Sequence, residues 1–280
     1  MTLRKKYSGI LFAALFLAAC ENKPTENSSA TSSSTTAEPE MNVPAVLSYN
    51  IVEQYPHDSK AFTEGLEYID GVLYESVGQY GKSDIRKVDP TTGKILQQAK
   101  MDDRYFGEGL TVMNGKIYQL TYKEGKGFVY DLATMKQLSS FSFPAQEGWG
   151  MTNNGTHLIF SDGSNKIYFV EPGSMKVVKT LSVTDEQGPV ARINELELIN
   201  GYIYANQWQA DLVLKIDTTT GRVAARADLS TIRIQGGIPP NMNDENAPET
   251  MNGIAFDAKG NRIFITGKNW PKMFVVRLDN

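Results

Sequence analysis

Two acidic residues recur in one local setting, Glu64 in Phe62-Thr-Glu-Gly-Leu66 and Glu108 in Phe106-Gly-Glu-Gly-Leu110. Carboxyl groups brought to one place can share a proton, so that one of the two is raised and serves as an acid. Trp149 in Gly148-Trp-Gly-Met151, Asn194 in Asn-Glu-Leu196 and Asn252 in Asn-Gly-Ile254 hold the equivalent place in three further segments, each about seven residues ahead of a turn. A second aligned set stands four residues beyond the Tyr or Phe that follows each turn: Tyr122, Trp208 and Lys268, with Gly78 and Ser164 at the matching positions. Two carboxylates, two tryptophans, a tyrosine, two amides and a lysine make apolar walls with a few polar groups, the composition of a ligand pocket. Singly, each is also what a capped turn or a solvated rim carries; as a set aligned by a repeat they point to a site. The glycines beside Glu108 and Trp149 fit a backbone approached closely by a ligand, and tight turns want them too.

The repeat that aligns these residues is a turn followed by a strand: Asp70-Gly-Val-Leu-Tyr74, Asn114-Gly-Lys-Ile-Tyr118, Asn154-Gly-Thr-His-Leu-Ile-Phe160, Asn200-Gly-Tyr-Ile-Tyr204 and Lys259-Gly-Asn-Arg-Ile-Phe264. Its glycines are 44, 40, 46 and 59 residues apart. A second series of turns starting at Asp89, Asp131, Glu171 and Asp217 keeps intervals of 42, 40 and 46. Each period has room for about four short strands, the size of a propeller blade. The second reads as Leu110–Met113, Lys116–Thr121, Phe128–Asp131 and Gln137–Phe141, with Asn-Gly favoured at the hairpin because both turn residues need positive φ. The expected fold is therefore all-β, a five-bladed β-propeller over residues 46–280. Its last period ends one strand short, and Val46–Gln54 is expected to close that blade against Met273–Arg277, leaving no exposed sheet edge. The starts of the innermost strands then ring one mouth of the central channel, beside the ends of their antiparallel neighbours. The long fourth interval holds residues 232–250, an insertion too polar and proline-rich for a strand.

With 28 Lys+Arg against 32 Asp+Glu, the formal charge is −4 and offers no basic footprint for nucleic acid. His57 and His157 are a hundred residues apart and the chain has one cysteine, so a zinc site of His and Cys has no ligands and an internal disulfide no partner. Both histidines read as surface or strand-end residues.

The lone cysteine has a positional explanation. Arg4, Lys5 and Lys6 precede the apolar run Gly9–Leu17, too short to span a bilayer, and Leu17-Ala-Ala-Cys20 follows. This resembles the lipobox of bacterial lipoproteins, which implies cleavage before Cys20 and acylation of its thiol. Losing residues 1–19 removes three basic and no acidic residues, which takes the formal charge to −7. Residues 20–45 read as a lipidated Cys and a disordered linker rich in Ser, Thr, Glu, Asn and Pro. The folded domain, 46–280, is expected outside the cytoplasm, tied to an envelope membrane through the lipid alone, on the periplasmic side if there are two membranes.

The ordered motifs Phe62-Thr-Glu-Gly-Leu66, Phe106-Gly-Glu-Gly-Leu-Thr111, Gly148-Trp-Gly-Met151, Ser161-Asp-Gly-Ser164, Asn194-Glu-Leu-Glu197, Ala205-Asn-Gln-Trp-Gln209, Met251-Asn-Gly-Ile-Ala255 and Thr266-Gly-Lys-Asn-Trp-Pro271 resemble the plant-type glutaminyl-peptide cyclotransferases, or glutaminyl cyclases. The resemblance covers nearly all of residues 50–278. It implies a five-bladed propeller unrelated to the zinc-dependent animal enzymes, acting on peptides or proteins with N-terminal glutamine. The free amine attacks the glutamine's own side-chain amide, a pyroglutamyl ring closes and ammonia leaves. By this resemblance Glu108 is the proton shuttle and Glu64 an additional acid or an ammonium ligand. Trp149, Trp208 and Tyr122 wall the substrate, and Asn194, Lys268 and Asn252 bind its amide or orient the peptide. Glu64 stands where the family commonly has Gln, and Tyr122 where it has Trp. No cofactor is required, a structural calcium ion is left open, and a monomer is expected. Two other classes stand beside this reading: a calcium-dependent lactonase or hydrolase using Glu64, Glu108, Asn194 and Asn252 as hard-cation ligands, and a non-catalytic envelope scaffold.

Overall fold

Hairpin turns set the order of this chain. The computed structural model describes residues 43–238 and 249–279; the expected leader, Cys20, nearly all of the linker and most of the polar insertion lie outside the described residues. Asp70-Gly71, Asn114-Gly115 and Asn200-Gly201 each carry positive φ at both positions, the two-residue turn whose twist matches its flanking strands. The remaining two copies turn differently: the Asn154 side chain holds the N–H groups of Thr156 and His157, and Asp257 those of Lys259 and Gly260.

Strand β1 (Ala45–Pro56) enters first. One sheet follows from β2 (Thr63–Ile69), β3 (Val72–Val77), β4 (Asp84–Val88) and β5 (Ile95–Lys100), and the next from β6 (Gly107–Met113), β7 (Lys116–Thr121), β8 (Lys126–Asp131) and β9 (Gln137–Ser142). The third has β10 (Met151–Asn153), β11 (Leu158–Ser161), β12 (Lys166–Val170) and β13 (Val177–Ser182), and is followed by the small pair β14 (Thr184–Asp185) and β15 (Gly188–Pro189). Then come β16 (Ile193–Ile199), β17 (Tyr202–Gln207), β18 (Leu212–Asp217) and β19 (Val223–Asp228), the short helix α1 (Ile232–Gln235), and finally β20 (Met251–Asp257), β21 (Arg262–Gly267) and β22 (Lys272–Asp279). Within each of the first three sheets the strands lie in sequence order. The insertion, read as too polar and proline-rich for a strand, opens with a turn of helix anchored by buried Ile232.

β1 pairs antiparallel with β22, from Ser48 opposite Asp279 to Pro56 opposite Lys272, with a bulge between Ile51 and Glu53. Its first residues, Ala45 to Leu47, also run parallel to Ala225–Ala227 of β19, which merges the last two sheets into one eight-stranded sheet. That second pairing was not foreshadowed by the repeat.

Burial falls from the first strand of a sheet to the fourth. β6 is buried along its whole length, whereas β5 alternates between half-buried and exposed. Apolar residues form a cluster between each consecutive pair of sheets, for example Ile85 with Ile117 and Phe128, or Ile159 with Leu196 and Ile203. The first sheet packs on the last in the same way, through Leu66, Leu73, Phe264 and Met273. The first strands also touch in turn, β2 with β6, β6 with β10, β10 with β16, β16 with β20 and β20 with β2.

His57 stands just past the end of β1, a strand-end place as expected, but its side chain is buried rather than on the surface, because Nε2 meets Glu75 at 2.8 Å and Nδ1 meets the Trp270 carbonyl at 2.6 Å. Burial alone would lower its pKa; the Glu75 carboxylate outweighs that and raises it, while burial's upward push on Glu75 is overcome by His57 and the group ends low.

Candidate functional site

Each of the four seven-residue first strands begins with an interruption of its ladder. Register slips between Thr63 and Gly65, Gly107 and Leu110, Ile193 and Leu196, and Met251 and Ile254. Glu64, Glu108, Asn194 and Asn252 fall inside those slips, where a bulge re-aims a side chain away from the strand's alternation. Trp149 keeps the equivalent place through backbone bonds, its N–H donating to the Ser161 carbonyl while Ser161 N–H donates to Gly150. The second set is fixed by one repeated bond: Tyr122 N–H to the Phe106 carbonyl, Trp208 N–H to Arg192 and Lys268 N–H to Thr250.

The glycines next to these residues answer to neighbouring backbone, not to a ligand. A Cβ on Gly109 would lie 2.4 Å from the Trp149 carbonyl oxygen, and one on Gly150 would lie 2.1 Å from that of Asn194. First strands pass too closely for a side chain, and this replaces the expectation of ligand approach.

The result is a cavity of about 270 Å³ lined by Phe62, Glu64, Phe106, Glu108, Tyr122, Trp149, Asn194, Trp208, Glu249 and Lys268. Of the eight candidates from the sequence, seven meet there. Asn252 stands behind the wall, fully buried, and donates from Nδ2 to Glu64 Oε2 at 3.1 Å and to the Thr63 carbonyl at 2.9 Å. Phe62 and Phe106 were inside the motifs without being singled out, and they meet edge to face, centroids 6.1 Å apart. Glu249 was missed; it lies near the end of the insertion, outside the repeat.

Glu64 and Glu108 are 2% and 5% exposed and hydrogen-bond to each other. Burial first, and then the charge of Glu64, push Glu108 well above the ordinary carboxylate range. Burial raises Glu64 as well, against the pull of Lys268, whose Nζ lies 2.6 Å from Oε1. The same ammonium sits 4.6 Å from the Phe62 ring centre. The pair therefore holds one proton favoured on Glu108 and one charge favoured on Glu64. Trp149 and Trp208 meet edge to face at 5.5 Å, with Trp149 Nε1 donating to Glu147. Asn194 Oδ1 is buried without a hydrogen-bond partner, leaving an acceptor for something that enters.

Two of the four proposed hard-cation ligands are already engaged with other groups. Lys268 already neutralises Glu64 and Asn252 offers it an N–H, and no group of three or more acidic, His or Cys side chains among the described residues is arranged for a metal ion. A different set of carboxylates was missed by sequence: Glu67, Glu195 and Glu197 lie on the first strands, buried. Glu195 accepts N–H groups from Leu66 and Ile254, Glu67 from Val112, and Glu197 from Phe256. They tie neighbouring first strands together where no ladder runs. Burial pushes Glu67 up to about 7 and the other two well above the usual range.

Comparison with known proteins bears on this geometry. A sequence profile described as glutamine cyclotransferase matches residues 24–278. The chain is 36% identical over 229 residues to a glutaminyl-peptide cyclotransferase of Arabidopsis thaliana, covering 81% of this chain and 70% of that protein. It is also similar to the crystal structure of Myxococcus xanthus glutaminyl cyclase, with a TM-score of 0.76 and 33% identity, over 84% of this chain and 98% of that one.

Proposed function

The chain belongs to the glutamine cyclotransferase family, and from that membership we propose that it is a glutaminyl-peptide cyclotransferase, closing N-terminal glutamine to pyroglutamate with release of ammonia. The observation that carries the reading to these residues is the buried pair Glu64 and Glu108 in an aromatic cavity. The α-amine nitrogen forms a bond to the side-chain amide carbon, and the C–N bond to the amide nitrogen breaks. One proton must leave the amine and one must reach the departing nitrogen. Once the pair has lost its shared proton, Glu108 accepts the first and, thus protonated, gives the second. Its raised proton affinity brings it toward that of an amine, where such transfers are most efficient near neutral pH.

Lys268 and Asn252 hold Glu64 charged beside Glu108. Asn194 presents its free oxygen to a substrate N–H, and Trp149, Trp208, Phe62, Phe106 and Tyr122 exclude water and fold the glutamine over itself. Ring closure is unimolecular, so this positioning supplies much of the rate. A coupled ammonia assay on a Gln-initiated dipeptide tests the activity; no release by the wild-type protein removes it.

The reading extends to the rest of the molecule. Residues 46–280 form a five-bladed β-propeller with β1 closing the last blade; the cyclic contacts of the first strands and the packing of the first sheet on the last support this. Residues 1–19 are a leader, Cys20 carries lipid, residues 20–45 are a linker, and a monomer works outside the cytoplasm, on the periplasmic side if there are two membranes, without a required cofactor. The basic, apolar and small-residue segments in order before Cys20 support the anchor. Mass spectrometry of protein from native membranes tests it: an intact residue 1–19 segment or an unmodified thiol removes it.

A further inference from the structure

A cavity of about 270 Å³ falls below the range of roughly 300–1,000 Å³ typical of small-molecule pockets, so it takes the terminal glutamine and leaves the following residues outside. The rim decides where they go. On the Tyr122 side it is occupied by contacts of its own: Lys123 pairs with Glu147 at 3.5 Å and lies 4.4 Å from the Tyr122 ring centre, Glu147 holds Trp149 Nε1, and Tyr80 donates to Glu124.

On the opposite side Glu249 belongs both to the cavity wall and to an adjoining polar groove of about 440 Å³, formed with Gln209, Asp211, Arg233 and Thr250. The two spaces are also joined along the chain, since Trp208 in the cavity precedes Gln209 in the groove. Glu249 is held in place by its backbone, its N–H donating to the Lys268 carbonyl and its carbonyl accepting from Trp270 Nε1. Its carboxylate takes part in none of the hydrogen bonds or ion pairs among the described residues. The Arg233 guanidinium, 5.7 Å from the Trp270 ring centre, acts on Asp211, which burial still raises above its ordinary value against that pull. Glu249 is thus a half-buried carboxylate at the junction of cavity and groove, with no ion-pair partner among the described residues.

We infer that this groove is the subsite for the residues that follow the N-terminal glutamine and that Glu249, backed by Asp211, selects cationic side chains there. The inference rests on the cyclotransferase reading. Gln209 and Thr250 supply polar partners for the peptide's main chain, and Glu249 supplies the charge.

The test compares kcat/KM of the full-length protein on Gln-Lys-Lys, Gln-Ala-Ala and Gln-Glu-Glu at low ionic strength. The lysine peptide is expected to exceed the glutamate peptide by roughly fivefold, the order of a partly exposed ion pair, chiefly through KM, and salt is expected to reduce the ratio. Glu249→Gln brings the ratio toward one, and Glu249→Lys inverts it, which a merely structural role for Glu249 would not do. A wild-type ratio near or below one, or a ratio that survives Glu249→Lys, overturns the inference while leaving the activity standing. If none of the three peptides releases ammonia, the activity itself fails and the subsite with it.

Discussion

Glu108 combines burial, a neighbouring carboxylate and a place on the cavity wall, and each has a separate experimental signature. Glu108→Gln keeps shape and removes the exchangeable proton, so kcat on Gln-initiated peptides is expected to fall by about 10²–10⁴-fold, with the melting temperature nearly unchanged. Glu64→Gln acts differently. It removes the second cause of the raised Glu108 value and leaves Lys268 without its anion. Both changes favour ionised Glu108, so the acid limb of the rate profile should move to lower pH while kcat falls far less than in Glu108→Gln. A limb that stays in place in Glu64→Gln separates the two carboxyls, and abolished turnover there with normal turnover in Glu108→Gln reverses their roles. These side chains were legible in the sequence because short glycine turns mark off the repeat, and a repeat aligns residues that no pairwise motif would connect. Glu249 was illegible for the same reason, since it belongs to no copy of the repeat.

At the scale of strands, the informative groups are acids that no motif singled out. Glu195 and Glu197 alternate along β16 as a solvent-facing strand would, yet the face they share is buried, and only the arrangement of all the first strands reveals that. Glu67, with a folded value of about 7 against about 4.3 for a free glutamate, binds its proton more tightly when folded. Its contribution to stability is complete below about pH 4 and is lost as pH rises through 7. Glu195, Glu197 and His57 shift in the same direction. The denaturation midpoint is therefore expected to fall between pH 5 and 8, and Glu67→Gln should flatten that slope; a midpoint that climbs across this range contradicts the assignment. His57 shows the other limit of sequence reading. Its burial depends on Glu75 and on a carbonyl 213 residues away, a distance over which nothing local speaks. Cutting it to Ala leaves Glu75 charged and buried, at a cost of about 3–5 kcal/mol, readable in denaturant unfolding.

For the whole molecule, the five-copy period located the turns and the inner strands within a few residues, since Gly, Asn and Asp in such turns obey steric rules that need no tertiary context. Register was not legible, because bulges and the parallel contact of β1 with β19 exist only once partners are chosen. Deleting residues 21–40 should leave the melting temperature unchanged, whereas deleting 46–54 leaves β22 paired with β21 alone, exposing its other edge, and should cause unfolding or aggregation; equal tolerance of both would defeat the role given to β1. That pairing also carries a timetable. β1 is the first strand of the domain to be synthesised and β22 the last, with Ser48 and Asp279 meeting across 231 positions. The stretch from Ser48 to Pro56 has to wait, with its edge unsatisfied, until β22 has been made, and the loop then closed is long and entropically costly. Refolding should consequently end in a slow step that forms the β1–β22 contact. A circular permutant with residues 45–56 placed after Asp279 turns that distant encounter into a local hairpin, so it should fold faster while unfolding at nearly the same rate.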